Sequence, residues 1–179
     1  MSVKNTQTKS IKLDSDKKCI HINQLLLIKI SKILSIVIEE NKKLDNYQEK
    51  LSFQRNMSFT SICEPSLSIH DYLFQIQYYT QVEDNSLIMA LIYIDRISEI
   101  SSVIITPYNV HRILFVAILL AIKFNEDLCY KFSFYAKVAG ISVLELKKLE
   151  IDFIILIRFK LYIKNDDFER YKQYLEQIN

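Results

Sequence analysis

Glycine and proline are nearly absent from this sequence of 179 residues, which contains one Gly and two Pro. Turn-rich β-sandwiches and barrels need Gly and Pro at their hairpins, and phosphate-binding loops need several Gly close together. Because Gly140 is the single glycine, a Gly-rich nucleotide-binding loop is excluded. Half of the residues are hydrophobic, so the chain can bury a sizeable core, and its length suits one domain with a tail.

Cysteine and histidine are also scarce, and they are spread along the chain as Cys19, Cys63, Cys129, His21, His70 and His111. An odd number of separated cysteines argues against a disulfide framework and favours a reducing, intracellular compartment. Neither residue type shows the short spacings of a metal site, and no serine lies in a nucleophile-elbow sequence. We interpret the adjacent His111 and Arg112 as a helix-start pair bonded to neighbours. The sequence therefore predicts a protein that is not an enzyme and needs no metal or small-molecule cofactor.

Neither sign of charge dominates the chain. Its 23 Lys and Arg against 21 Asp and Glu give a net charge of +2, which is too even to predict nucleic acid as the main partner. The longest uncharged apolar run, 113–122, is about half of the roughly 20 residues that span a bilayer. The polar first twenty residues contain no apolar core of a secretory signal. We therefore expect a soluble protein with neither a membrane nor a nucleic-acid partner.

The first third of the chain predicts one helix between two polar stretches. Residues 1–19 are polar and are expected to form a disordered lead-in. A helix within 20–45 is predicted from an apolar stripe at Ile22, Leu26, Ile30, Ile33 and Val37. The mostly polar segment 46–57 is expected to be a linker.

Capping signals divide residues 58–163 into further helices. Ser68 and Ser142 each stand three residues before an acidic residue, as in a capping box. Thr106 precedes Pro107, a pair typical of a helix cap and first helical residue. The helix that opens at this pair is apolar on nearly every side from 110 to 124, which is typical of a central helix.

The remaining boundaries complete an all-α prediction. One helix is predicted from about Asp84 to Glu99. An aromatic segment, 132–135, leads to a turn at Gly140, and the helix after Ser142 is expected to continue through Leu161. In the last segment, 164–179, we expect a short helix at 168–175 capped by Asn165.

Three charged residues interrupt apolar helical faces. Asp95 continues the apolar stripe of its helix, Lys123 closes the central helix, and Glu150 lies on the apolar face of the helix after Ser142. A charge in such a place must be paired within the domain or must contact a group outside it. Arg96 is adjacent to Asp95 but points to a different helical face. Lys123 and Glu150 could bond to each other or to a partner, and the sequence leaves both possibilities open.

Five short sequence blocks occur in an order and spacing that resemble a known family. The blocks are 68–73 (SIHDYL), 93–96 (YIDR), 109–112 with 121–124 (NVHR and AIKF), 135–141 (YAKVAGI) and 149–150 (LE). They are similar to the cyclin box, and more narrowly to that of the phosphate-pathway (P/U-type) cyclins. The resemblance covers roughly residues 59–162, and the combination of blocks is more specific than any one of them.

The resemblance implies a fold and a function. The fold is a single five-helix cyclin box at 58–163, with an additional N-terminal helix at 20–45 and a short C-terminal helix at 164–179. The function is that of a regulatory subunit, cytoplasmic or nuclear, that binds and activates a cyclin-dependent serine/threonine kinase. It would do so by favouring the active arrangement of the kinase C-helix and activation loop.

The resemblance also implies roles for individual residues. In the family, a Lys that ends the third box helix and a Glu in the fifth bind the kinase, and they correspond to Lys123 and Glu150. No catalytic residue is implied. Structural roles within the box are implied for Asp95, Arg96, Gln75, His111, Arg112 and Gly140.

Some positions depart from the family pattern. Gln75 stands where the family usually has an Arg that pairs with the Asp at position 95, so we expect Gln75 or water to satisfy Asp95. Ala139 stands where the family usually has the first of two Gly residues. The family's tight turn is therefore not implied for Gly140. The chain has no Trp and lacks the docking motif of cell-cycle cyclins in its first box helix, so substrate recruitment through that motif is not expected. No second cyclin fold is expected.

Two other functions are compatible with the same sequence. A transcription-associated cyclin-fold protein would need a basic face, which the net charge of +2 supports little. A helical adaptor would bind a kinase without stimulating phosphoryl transfer, and the departure at Gln75 keeps this alternative open.

Overall fold

The computed structural model describes residues 22–55 and 57–178. Within these ranges the chain forms eight α-helices and no strand, which confirms the predicted all-α class. The helices are α1 (Gln24–Lys42), α2 (Tyr47–Gln54), α3 (Ile69–Thr80), α4 (Asp84–Ser101), α5 (Val110–Asn125), α6 (Phe132–Ala139), α7 (Val143–Leu156) and α8 (Asn165–Gln177). The predicted lead-in at 1–19, together with Cys19 and His21, lies outside the described residues.

α5 is the central helix, as its sequence predicts. Val110 and every residue of 113–122 are buried, because neighbouring helices cover it on all sides. It packs most extensively against α4 and also contacts α3, α6 and α7. These five helices form the expected box, with α1 packed on α3 and α8 on α4.

α1 buries a face slightly rotated from the predicted stripe. The helix begins after Asn23, whose side-chain oxygen accepts a hydrogen bond from the Leu26 N–H at 3.1 Å. The stripe residues Ile22, Ile33 and Val37 are only partly buried at the edge of the core. The fully buried face consists of Leu26, Leu27, Ile30, Leu34 and Ile38. Consecutive apolar residues in this helix offer two overlapping stripes, and periodicity alone does not select between them.

The predicted linker at 46–57 contains α2, so the linker prediction is wrong for Tyr47–Gln54. α2 is mostly polar and shows no apolar stripe, which is why periodicity missed it. Its one buried residue is Gln54. The side-chain amide of Gln54 is oriented so that its oxygen faces a donor and its nitrogen faces an acceptor. It donates to the Ile104 carbonyl at 3.1 Å and accepts from the Ile104 N–H at 2.8 Å.

The two predicted serine caps are confirmed. The Ser68 hydroxyl accepts a hydrogen bond from the Asp71 N–H at 3.0 Å, and Ser142 accepts one from the Glu145 N–H at 3.0 Å. Each serine backbone is extended, so the chain enters the helix only at the next residue.

The predicted cap at Thr106 is wrong. α5 begins three residues later, after Asn109, and residues 106–109 form a turn closed by the Asn109 N–H on the Thr106 carbonyl at 3.2 Å. The Asn109 side chain fixes this turn, since its oxygen accepts from the Thr106 N–H at 2.8 Å and its nitrogen donates to the Ile104 carbonyl at 2.9 Å. The Thr106 hydroxyl is buried and makes no hydrogen bond within the described residues.

The ends of α7 and α8 also differ from their predictions. α7 ends at Leu156 rather than Leu161, because Arg158 and Phe159 adopt left-handed backbone angles (φ 52° and 59°) that a helix does not continue. α8 starts at Asn165 itself rather than at residue 168, and its cap residue is Lys164, which makes no side-chain cap bond. Residues 157–164 therefore form a turn and an irregular link between the two helices.

Gly140 supplies the predicted turn after α6. Its φ of 70° is left-handed, and its N–H and that of Ile141 bond back to the Lys137 and Ala136 carbonyls. Ala139 is the last helical residue of α6. A second glycine is therefore not needed for this turn, and the Ala139 departure leaves it intact.

Candidate functional site

Lys123 and Glu150 form an ion pair with each other. Lys123 lies in the last turn of α5, Glu150 lies in the middle of α7, and the two helices pack together. The Lys123 Nζ is 2.5 Å from the Glu150 Oε1, and the two side chains are 36% and 16% exposed. The free chain thus adopts the first of the two arrangements that the sequence leaves open. The lysine is still open to solvent on one side.

The ring of Phe132 also contacts Lys123. The Lys123 Nζ lies 4.7 Å from the centroid of this ring, which is within the range of a cation–π interaction. Phe132 is the first residue of α6. The sequence gives no signal that selects this ring from its aromatic neighbours, and sequence reasoning missed it.

Apolar side chains are also exposed on the two helices that carry the ion pair. Phe124 follows Lys123 and is 52% exposed, while Ile151 and Ile155 on α7 are 58% and 57% exposed. Ile151 and Ile155 are four residues apart and share one side of their helix. Exposed apolar side chains can contribute area to a protein-binding surface. We call Lys123, Phe124, Glu150, Ile151 and Ile155 the α5–α7 surface.

Asp95 is bonded to Tyr171 of α8, so the expectation that Gln75 satisfies it is wrong. The Tyr171 hydroxyl donates to the Asp95 Oδ2 at 2.5 Å. Gln75 instead donates to the Val138 carbonyl at 3.2 Å and ties α3 to the end of α6. Burial raises the pKa of Asp95 above its ordinary value, and the Tyr171 hydrogen bond partly opposes this shift.

Tyr171 is a site residue that sequence reasoning did not identify. It shares one face of α8 with Phe168 and Leu175, at spacings of three and four residues, and that face packs on the core. A tyrosine on an apolar face buries its ring and still needs a partner for its hydroxyl. The position of Tyr171 therefore predicts that its hydroxyl donates to some acceptor, but it does not identify Asp95 as that acceptor.

Arg96 does not bond to its neighbour Asp95. Its guanidinium donates to the carbonyls of Lys160 and Tyr162 at 2.6 and 2.9 Å. These carbonyls belong to the link between α7 and α8, so Arg96 holds that link against α4.

His111 and Arg112 connect the start of α5 to neighbouring segments. The His111 Nε2 is 2.8 Å from the Leu67 carbonyl, and burial lowers the pKa of this imidazole. Arg112 donates to the Ser58 carbonyl at 2.9 Å and lies 2.7 Å from the Glu145 carboxylate. The pair thus joins α5 to the chain before α3 and to the first turn of α7.

We expect Tyr171→Phe to lower the free energy of unfolding by about 1–3 kcal/mol, because it leaves the largely buried Asp95 carboxylate without its donor. Urea unfolding followed by circular dichroism measures this. Tyr174→Phe is the matched control, since Tyr174 lies on the same helix and is 56% exposed. Equal stabilities of the two variants would contradict the assigned role of the Tyr171 hydroxyl.

Asp95→Asn is expected to remove the contribution of this carboxyl to the pH dependence of the free energy of unfolding. Because burial raises the pKa of Asp95 in the folded chain above its ordinary value of 3.8, the folded state binds its proton more tightly than the unfolded state does. The stability that this proton provides is complete below pH 3.8 and is lost as the pH rises through the folded-state pKa. The asparagine oxygen can still accept from Tyr171, so Asp95→Asn should be at least as stable as wild type at pH 7. A wild-type advantage at pH 7 in urea unfolding would contradict this reasoning.

The described residues contain no group of three or more His, Cys, Asp or Glu that could hold a metal ion. None of the helices in this part of the chain is long and apolar enough to cross a membrane.

Comparison with known proteins identifies the family. The sequence profile described as "Cyclin" matches residues 18–161. The chain is 37% identical to cyclin-U4-3 of Arabidopsis thaliana over 153 residues, which cover 85% of this chain and 67% of that protein. It is 33% identical to cyclin-U4-2 of the same plant over 171 residues (90% and 78%). It is also 34% identical to cyclin-P4-1 of Oryza sativa subsp. japonica over 115 residues (64% and 54%). The chain therefore belongs to the cyclin family, in its phosphate-pathway (P/U) type, and this membership supports a regulatory role.

Proposed function

We propose that this cyclin is the regulatory subunit of a cyclin-dependent serine/threonine kinase, which it binds and activates. The α5–α7 surface is the observation that carries the proposal. Its Lys123 and Glu150 correspond to the family's kinase-binding Lys and Glu, and the exposed apolar side chains of the same two helices would be buried against the kinase. In this proposal the cyclin contributes no catalytic residue and acts inside the cell, in the cytoplasm, the nucleus or both.

The ion pair keeps hydrogen-bonding capacity for a partner. A lysine ammonium has three N–H donors and a carboxylate has about four acceptor sites. The contact between Lys123 and Glu150 uses one of each. The remaining donors and acceptors can bond to backbone groups of the kinase beside its C-helix, and Phe124, Ile151 and Ile155 supply apolar area around them.

Activation would follow from a difference in affinity between two kinase states. A cyclin that binds the active arrangement of C-helix and activation loop more tightly than the inactive one shifts the population toward the active one. A shift from 1:99 to 99:1 needs a preference of about 10⁴-fold. Such a preference has to come from contacts that the cyclin makes with the active arrangement and not with the inactive one.

Co-expression with candidate cyclin-dependent kinases from the same organism tests the proposal. We expect one kinase to co-elute with the chain at one-to-one stoichiometry on size exclusion and to phosphorylate a histone-type substrate faster than the kinase alone. A stable complex without stimulated activity would favour the adaptor and contradict activation. If no kinase co-eluted, the proposed partner class would be wrong.

A further inference from the structure

We infer that Phe132 is a positioning residue for kinase binding, because its ring holds the Lys123 ammonium in place beside Glu150. This inference rests on the proposed function. The Lys123 Nζ is 4.7 Å from the Phe132 ring centroid and 2.5 Å from the Glu150 Oε1, so it is held by a ring and by a carboxylate together.

The start of α6 brings the ring to the end of α5. The backbone of Lys131 is extended and α6 begins at Phe132, so this ring is the first side chain of the helix. α6 contacts both α5 and α7, the two helices that carry the ion pair. Phe132 is partly buried and packs against the core, so its position is fixed by the fold rather than by the lysine.

A single ion-pair contact would hold this lysine poorly. Lys123 is 36% exposed, its flexible stem carries considerable rotamer entropy, and an exposed pair is worth little by itself. The negative face of the ring attracts the ammonium on a second side and narrows its range of positions. The ammonium still has an N–H free for the kinase. The Lys123 side chain therefore loses its rotamer freedom before the kinase binds rather than on binding.

The free protein offers a test that needs no kinase. A side chain over an aromatic face has its proton resonances moved upfield by the ring current. We expect upfield Lys123 Hε signals, assigned by their loss in Lys123→Met, that return to ordinary values in Phe132→Leu and stay upfield in Phe132→Tyr. Phe134→Leu, on the same helix, is the matched control and should leave them upfield. Ordinary Lys123 shifts in the wild-type protein would overturn the inference.

Kinase binding gives the second test, with the kinase that co-elutes with the chain. We expect Phe132→Leu to weaken binding about two- to fivefold, the effect of losing one partly exposed cation–π contact, and Phe132→Tyr to restore it. In a Lys123→Met background Phe132→Leu should have no further effect. An equal loss in both backgrounds would mean that the ring acts independently of Lys123, which overturns the positioning role. If Lys123→Met itself bound normally, the proposed interface would fail, even with the ring-current shift present.

Discussion

Lys123→Glu and Glu150→Lys are each expected to weaken kinase binding by about 2–5 kcal/mol, or about 30-fold and more. Each substitution places two like charges at a contact that the kinase desolvates. The informative variant is the double exchange Lys123→Glu/Glu150→Lys. It rebuilds an internal ion pair of opposite polarity, but it offers the kinase an acceptor where a donor is needed. We expect it to bind as weakly as the single variants, by titration calorimetry against the co-eluting kinase.

The fold should survive all three variants. The wild-type pair is partly exposed at Lys123, so its contribution to stability is at most about 1 kcal/mol after solvent screening. We expect unchanged helicity by circular dichroism, a small loss of stability in each single variant and recovery of that loss in the double exchange. Stability and kinase binding therefore respond differently to the double exchange, and this separates a structural role of the pair from a binding role.

The control is a second surface ion pair, at the C-terminal end of α1. Lys43, the residue after that helix, and Glu40 pair at 2.6 Å and are 69% and 64% exposed. Lys43→Glu should leave kinase binding unchanged. If the single variants at Lys123 and Glu150 bound as well as this control, the interface would be elsewhere. If the double exchange recovered binding along with stability, the pair would act only by holding the two helices together.

Sequence pattern could predict these two residues because a charge on an apolar face stands out locally. Lys123 closes a helix whose neighbours are almost all apolar, and Glu150 lies within a turn of the buried Phe153. The same logic identified the central helix and the caps at Ser68 and Ser142, each of which depends on residues within one or two turns. Patterns that depend only on residues within one or two helical turns can be recognised without knowing which segment packs against the helix.

The partners of these charges could not be predicted in the same way. Tyr171 and Asp95 are 76 residues apart, and Phe132 reaches Lys123 only because α6 packs against α5. Asp95 shows the consequence most clearly. The family pattern predicts its partner on the first box helix, but in this chain the hydroxyl of the C-terminal helix takes that place. Such a replacement depends on tertiary packing, and local spacing does not encode it.

The second large effect is expected at the turn before α5, where sequence and structure make opposite predictions. Asn109→Ala should lower the free energy of unfolding by about 2–4 kcal/mol, the cost of one unpaired buried donor and one further lost hydrogen bond. Asn109 is 2% exposed, and its loss leaves the buried Thr106 N–H without its acceptor and removes one of the two donors to the Ile104 carbonyl, which keeps its bond from Gln54. Thr106→Val should leave the stability unchanged or raise it by up to about 1 kcal/mol, because the buried Thr106 hydroxyl has no hydrogen-bond partner within the described residues.

Urea unfolding of the two variants decides between the alternatives. If Thr106 were the cap that its sequence suggests, Thr106→Val would lower the free energy of unfolding by about 1 kcal/mol. Asn109→Ala would then lower it by less than the structure predicts. Asn85→Ala, at an exposed position of α4, is the control for loss of an asparagine and should change the stability by less than about 0.5 kcal/mol. A large loss in Thr106→Val together with a small one in Asn109→Ala would contradict the structure of this turn.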